Sequence, residues 1–392
     1  MSHYNKEMVS IYTNTNCNLD CRYCYTNKEA YEAQYVDIDF AKQLINDYFT
    51  RNEYSGYKPV IRFFAAGEPT LNFSVIKELV EWSRATYGNH LEFEIQSNGI
   101  YTKSSGEYNY ELAEWIAKNI DYIWISCDGT PDVQNYYRPI FANMYETIPL
   151  MTSSQIVEET IRYILPICKK MIGIRMTIIN MNIRRQKEMI DYFVSLGIHD
   201  IWADPLFPGV GREPIEDIDL TLFASEFLKA CEYASTKYGA DPSDPAFDKV
   251  IYGSNYTCNF DEEVKHYCRA CKPVPHATTD GYVTSCDMAM FYESPESQGA
   301  HMNVLLYGKW NPETKCVEYY AEKIKEIRAR NCDNMEICST CRARLHCGGY
   351  CLGEVTNETH KIDGNLSHKC RVVRKLFDEM NVRQRKYRYS HP

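Results

Sequence analysis

Three cysteines near the start of the chain, Cys17, Cys21 and Cys24, constrain it more than any other feature. They lie in Cys17-Asn18-Leu19-Asp20-Cys21-Arg22-Tyr23-Cys24, a C-x3-C-x2-C triplet that follows a β-like run, Met8-Val9-Ser10-Ile11-Tyr12-Thr13. Held on one tight loop, the three thiolates can bind three irons of a 4Fe–4S cube and leave the fourth iron open to an exchangeable ligand. A helix would spread the same residues around its axis. Two plainer readings stand beside this one, a zinc knuckle and a set of reduced thiols. Structural zinc prefers four protein ligands, and no close fourth cysteine or histidine follows Cys24.

From residue 8 to residue 204 the chain alternates strand and helix patterns. Strands are expected at 8–13, 60–64, 92–95, 122–126, 172–179 and 199–203. Helices are expected near 38–50, 74–86, 109–118, 155–169 and 184–195. Six such units predict an α/β fold, a parallel, partly closed (β/α)6 barrel over 1–204. Periodicity alone also allows a flavodoxin-like sheet or a full eight-unit barrel. In such folds chemistry gathers at the carboxyl ends of the strands, and the cysteine loop falls at one of them. Residues 205–264 read as a bridging segment: Pro205, Pro208, Gly209, Gly211 and Pro214 break regular structure before a helix at Leu220–Tyr238. Over 265–370 cysteine spacing replaces helical periodicity, and metal ligation is expected to replace part of a hydrophobic core. Residues 371–392 form a basic tail.

The chain has 392 residues and a formal net charge of −10, which disfavours a nucleic-acid role. No apolar run is long enough to span a bilayer, so no membrane role is expected. Seventeen cysteines, an odd number, without a signal peptide, point away from a secreted disulfide scaffold and toward a reducing cytoplasm. An open iron is oxygen-labile, which makes an anaerobic organism the expected source.

At the end of the second strand stands Phe63-Phe64-Ala65-Ala66-Gly67-Glu68-Pro69-Thr70-Leu71. With the cysteine triplet, this turn resembles the radical S-adenosylmethionine (SAM) superfamily. The resemblance implies that the open iron binds the amino and carboxylate groups of SAM while the backbone of Ala66, Gly67, Glu68 and Pro69 helps hold its amino group. The family's first glycine is replaced here by Ala66, which asks whether that position needs a positive φ or an unusually close approach. Ser126, at the end of the fourth strand, then corresponds to a residue contacting the SAM ribose or carboxylate. Arg175 corresponds to the arginine that pairs with the carboxylate. As a residue, Arg175 interrupts an apolar strand and calls for a partner, either SAM or an internal carboxylate such as Asp128. Tyr23 covers the adenine with its ring, positions it through its backbone, or is exposed filler.

A second cysteine system follows. Cys268-x2-Cys271-x9-Gly281-x4-Cys286 leads to Cys338-x2-Cys341-x5-Cys347-x3-Cys351 and, after eighteen intervening residues, Cys370. This order resembles the SPASM extension of radical SAM enzymes that modify peptides and proteins. It implies one auxiliary cluster on Cys268, Cys271, Cys286 and Cys351, and another on Cys338, Cys341, Cys347 and Cys370. With the first site this makes three 4Fe–4S clusters. Zinc in one lobe is the alternative, and Cys258 and Cys332 are the spare thiols placed to replace an assigned ligand. Asp287 matches an aspartate that looks like the proton acceptor in sulfatase-maturing relatives; its other reading is a carboxylate orienting the turn around Cys286 through backbone amides.

The resemblance implies reductive cleavage of SAM to a 5′-deoxyadenosyl radical that abstracts a substrate hydrogen, with auxiliary clusters assisting oxidation and a reducing partner such as flavodoxin or ferredoxin. Asn72-Phe73 after the Gly-Glu-Pro turn has the flavour of ribosomal-peptide maturases that form thioether or carbon–carbon crosslinks. Sulfatase maturases making formylglycine usually carry His-Asp where this chain has Gln134-Asn135. A crosslinking peptide maturase is therefore the expected activity, with sulfatase maturation second and a small-molecule dehydrogenase third. With Cys17 so early, no leader-binding domain is expected ahead of it. The tail from Arg371 either docks an acidic leader or is a solvated helix end.

Overall fold

The computed structural model describes the chain apart from residues 1–7, 25–32, 52–57, 65, 207–217, 240–249, 258–262, 273, 289–299 and 391–392. Six strands lie side by side in chain order, each parallel to the next: β1 (Met8–Tyr12), β2 (Val60–Phe64), β3 (Glu92–Ser97), β4 (Tyr122–Ser126), β5 (Met171–Ile178) and β6 (Asp200–Pro205). The helices between them are α1 (Ile38–Arg51), α2 (Phe73–Tyr87), α3 (Tyr110–Asn119), α4 (Pro131–Tyr137), α5 (Ser153–Ile164) and α6 (Gln186–Ser195). The helix expected to reach residue 169 stops earlier. Pro166 lacks an amide donor, and the chain tightens into a 3-10 turn at Leu165–Ile167. The short α4, started by Pro131, escaped the periodicity reading.

Register separates two faces. Ile11, Phe63, Ile95, Ile123 and Ile172 form one buried row across β1 to β5 and join the hydrophobic core. The opposite face carries Ser10, Arg62 and Glu94 in one row, and Ser126, Arg175 and Trp202 in another. Period-2 alternation thus sends apolar residues to the core and leaves polar side chains on the face that bears the candidate site.

The sheet runs on past residues 204 and 264. β7 (Ile251–Gly253) extends it beyond β6, after α7 (Leu220–Tyr238). At the other edge β8 (His276–Ala277) pairs in parallel with β1. β9 (Tyr282–Thr284), β10 (Leu306–Asn311) and β11 (Cys316–Tyr319) then follow as antiparallel neighbours. The order β11-β10-β9-β8-β1-β2-β3-β4-β5-β6-β7 makes a mixed sheet of eleven strands. Its hairpin turns back on α1: Trp310 stacks on Phe40 at 5.6 Å, Tyr319 Oη donates to Asp47 at 2.7 Å, and Lys315 meets Asp39 at 2.9 Å.

The remainder is helical and irregular: α8 (Ala321–Ala329), α9 (Arg344–Cys347), α10 (Leu352–Thr359) and α11 (Ser367–Ser390). The first turns of α11 bury Val372, Val373 and Leu376, and Asp378 pairs with Arg342. The start of the basic stretch is therefore packed helix.

Candidate active site

The cysteine triplet leaves β1 on a loop gripped by the segment after α4. Backbone amides of Asp20 and Arg22 donate to Pro139 and Tyr137 at 2.8 and 2.9 Å, and Phe141 donates back to Asn18 at 3.0 Å. Cys17 and Cys21 are buried and Cys24 is half-buried. Polar donors reach the sulfurs. Asn98 Nδ2 lies 3.8 Å from Cys17 Sγ, and Arg138 Nη1 lies 3.9 Å from Cys21 Sγ. The buried Tyr23 is not exposed filler: its hydroxyl donates to Asp128 at 2.5 Å.

The Gly67-Glu68-Pro69 turn is tied to this loop. Glu68 N donates to Asn16 O at 2.6 Å. A Cβ on Gly67 would sit 1.8 Å from the same oxygen, so glycine is required there. Ala66 beside it is buried. The Glu68 carboxylate faces inward, accepting from Thr70 N (3.1 Å), Thr70 Oγ1 (2.7 Å), Ser97 Oγ (2.8 Å) and Asn98 N (2.6 Å). Burial raises its carboxyl above the ordinary range, and these bonds oppose the rise. Glu68 thus braces the turn with its side chain.

Ser126 and Arg175 are neighbours in register on β4 and β5. The Arg175 guanidinium lies 5.4 Å from the Trp124 ring and 5.7 Å from the Trp202 ring, and 4.0 Å from Asp204. Asp128, weighed above as a partner for Arg175, instead pairs with Arg138 at 2.9 Å.

Asp287 comes from the second cysteine system but reaches the polar face of the sheet. Its Oδ1 accepts from Tyr12 Oη at 2.7 Å and lies 3.0 Å from His276 Nε2, while Oδ2 lies 3.2 Å from Arg62 Nη1. Arg62 in turn donates to Gln96 at 2.9 Å and meets Glu94 at 3.3 Å. His276 Nδ1 faces the carbonyls of Val274 and Thr284 at 2.8 and 3.1 Å, so that nitrogen carries a proton. Sequence reasoning missed Tyr12, Arg62 and His276. Arg62 carried a usable signal, a cation in the apolar run Val60–Phe64.

The later cysteines gather as two groups. Cys338, Cys341, Cys347 and Cys370 line one pocket. Burial raises the Cys351 thiol well above its ordinary range, and neighbouring Glu354, Cys268 and Cys286 push the same way. Cys271 N donates to Cys268 O at 3.2 Å. The spare Cys332 is buried and its Sγ lies 3.9 Å from Val264 O, whereas Cys258 lies outside the described residues. None of the described cysteines forms a disulfide. Among the described residues no three His, Cys, Asp or Glu side chains are grouped to hold a single metal ion. A cube takes one thiolate at each iron, so its ligands surround a volume and need not converge on a point. Four thiols around one pocket fit that requirement. No helix among the described residues is long and apolar enough to cross a membrane.

No protein-family model matches the chain. An uncharacterized protein of Methanocaldococcus jannaschii is 28% identical over 206 residues, 52% of this chain and 63% of that protein, so the match spans less than two thirds of this curated relative. Solved structures extend the likeness. AdoMet-bound anSMEcpe aligns with a TM-score of 0.71 at 14% identity, covering 99% of this chain and 96% of its own. The same protein with AdoMet and a bound peptide aligns at 0.70, 15% identity, 98% and 99% coverage. SuiB of Streptococcus suis bound to its precursor peptide SuiA aligns at 0.56, 14% identity, 90% and 73% coverage. The likeness to these solved structures is one of fold. More particularly, its fold is similar to those of anSMEcpe, over nearly its whole length, and of SuiB.

Proposed function

We propose that the chain is a radical SAM enzyme that oxidises a peptide or protein, forming a thioether or carbon–carbon crosslink in a ribosomal peptide. The single observation carrying this reading is the position of Asp287. A residue adjacent to a cysteine of the C-terminal lobe is held on the polar face of the sheet whose strand β1 leads into the N-terminal cysteine loop. In this reading the substrate binds between the two thiolate systems, where substrate oxidation requires it. The solved structures of anSMEcpe and SuiB with bound peptides support a peptide as the substrate class.

In this reading the six parallel strands are the partial (β/α)6 barrel. Cys17, Cys21 and Cys24 hold the SAM-binding cluster. Cys268, Cys271, Cys286 and Cys351 hold one auxiliary cluster, and Cys338, Cys341, Cys347 and Cys370 the other. When bound, SAM and its reduced cluster supply hydrogen-atom abstraction, with electrons from a flavodoxin- or ferredoxin-like partner in an anaerobic cell. Backbone groups of Ala66, Gly67 and Pro69 orient SAM while Glu68 fixes their turn. Ser126 and Arg175 receive its carboxylate end, with Trp124 and Trp202 restricting the guanidinium. Asp287 accepts the substrate proton on its carboxylate, whose orientation Tyr12, His276 and Arg62 hold. The Cys286-Asp287 pair also fits the second reading, formylglycine formation from a cysteine or serine.

Anaerobic incubation with SAM, dithionite and candidate peptides, followed by intact-mass and fragment analysis, tests both. Loss of two hydrogens with a new crosslink supports the first reading, and a cysteine-to-formylglycine change supports the second. Oxidation of a small metabolite alone, with every peptide unchanged, overturns both.

A further inference from the structure

Arg330 follows α8 and is only 4% exposed. Its Nε donates to the Ile362 carbonyl at 2.9 Å, Nη1 to Tyr350 O at 3.1 Å and Nη2 to Gly349 O at 2.8 Å. These bonds fix the guanidinium plane, but carbonyl groups do not neutralise its charge. Among the described residues no carboxylate pairs with it. A buried cation left without a counter-charge is strongly destabilising.

The acidic groups it does meet are thiols. Nη1 lies 3.8 Å from Cys271 Sγ, in the first proposed ligand set. The second set lies close as well. The pocket that Cys338, Cys341, Cys347 and Cys370 line is also lined by Gly349 and Tyr350. Gly349 and Tyr350, whose carbonyls hold the guanidinium, lie in the short link between Cys347 of one set and Cys351 of the other. One buried cation is therefore clamped to the backbone that joins the two sets.

We infer that Arg330 is a positioning residue, the shared counter-cation of the two C-terminal thiolate sites, which fixes their separation and favours their reduced states. The inference rests on the reading that these sites hold clusters. One-electron reduction adds one negative charge to a site, the electron coming from an external reductant, and a fixed cation beside a ligand sulfur stabilises that charge.

The test compares the full chain with Arg330→Gln and Arg330→Lys after anaerobic reconstitution with iron and sulfide. Iron content and EPR-monitored titration with dithionite are the readouts. The Gln variant should keep the N-terminal site unchanged while the reduction equilibria of the C-terminal sites fall at least about tenfold, about 59 mV for one electron. Lysine should restore most of the shift. Unchanged midpoints in a fully loaded Gln variant overturn the inference. Equal iron loss in the Gln and Lys variants does so too, since geometry alone would then explain the residue. A wild-type chain whose C-terminal lobe takes up no iron overturns the cluster reading itself, and this inference with it.

Discussion

A carboxylate gripped by a phenol, an imidazole and a guanidinium has its direction set before any substrate arrives. Asp287 is held this way, and its partners come from β1, β8 and β2, elements far apart in sequence. Replacing it by asparagine keeps the shape and removes the base. Asp287→Asn should retain its iron and some SAM cleavage while product formation falls by about 10²- to 10⁴-fold, read by comparing 5′-deoxyadenosine with modified peptide. Normal product yield would exclude Asp287 as the acceptor. The residue itself was legible because it follows Cys286 in a spaced motif. Its holders were not, since Tyr12 and His276 are single residues whose role depends on tertiary contact. Arg62 and Arg175 gave the same signal, a cation inside an apolar strand, yet Arg175 drew notice because a resemblance named a partner for it. The close approach in this turn falls at Gly67, one residue after Ala66.

Whole elements were more readable than side-chain networks. β2 and β4 match their expected spans, and the main helices differ by a few residues, because long segments repeat their apolar spacing several times. The hairpin strands β8 to β11 were not legible. β8, β9 and β11 run for two to four residues, too short to show alternation, β10 is interrupted by Gly308, and the set forms because the edge of β1 offers unpaired backbone groups. Helix ends follow side-chain chemistry. Thr152 begins α5 with a capping box, its hydroxyl accepting from Gln155 N while Gln155 Oε1 accepts from Thr152 N at 2.9 Å. Thr152→Ala removes one half of that exchange. It should destabilise the protein by about 1 kcal/mol, seen as a lower urea midpoint with an unchanged slope. A midpoint equal to wild type would mean that burial of Ile156, Val157 and Ile161 alone sets the helix start.

At the scale of the molecule, one sheet joins regions that differ in what holds them. The β8–β11 side is anchored without metal: Trp310 packs on Phe40, Tyr319 reaches Asp47, and Lys315 reaches Asp39. The region from Cys332 to Cys351 is held by hydrogen bonds of Arg330 to Gly349 and Tyr350 and by the Arg342–Asp378 pair. Its regular structure is a 3-10 turn ending at Cys338 and the four residues of α9 ending at Cys347, and Cys338, Cys341, Cys347 and Cys351 of this region belong to the proposed ligand sets. Where ligation replaces a core, removing the metal removes the stabilisation. Anaerobic chelation should therefore open this region first, while β8–β11 stays attached to β1. Limited trypsin digestion checks it, because Arg342 and Arg344 lie between Cys341 and Cys347. After chelation, cleavage at these two arginines should rise at least about tenfold over the loaded protein, ahead of any cut at Lys309 or Lys315. Equal protection at Arg342 and Arg344 with and without metal would show that packing by Tyr350, Leu352 and α11 holds the lobe by itself. Early cutting at Lys309 or Lys315 would show instead that the hairpin depends on the metal sites for its place on the sheet.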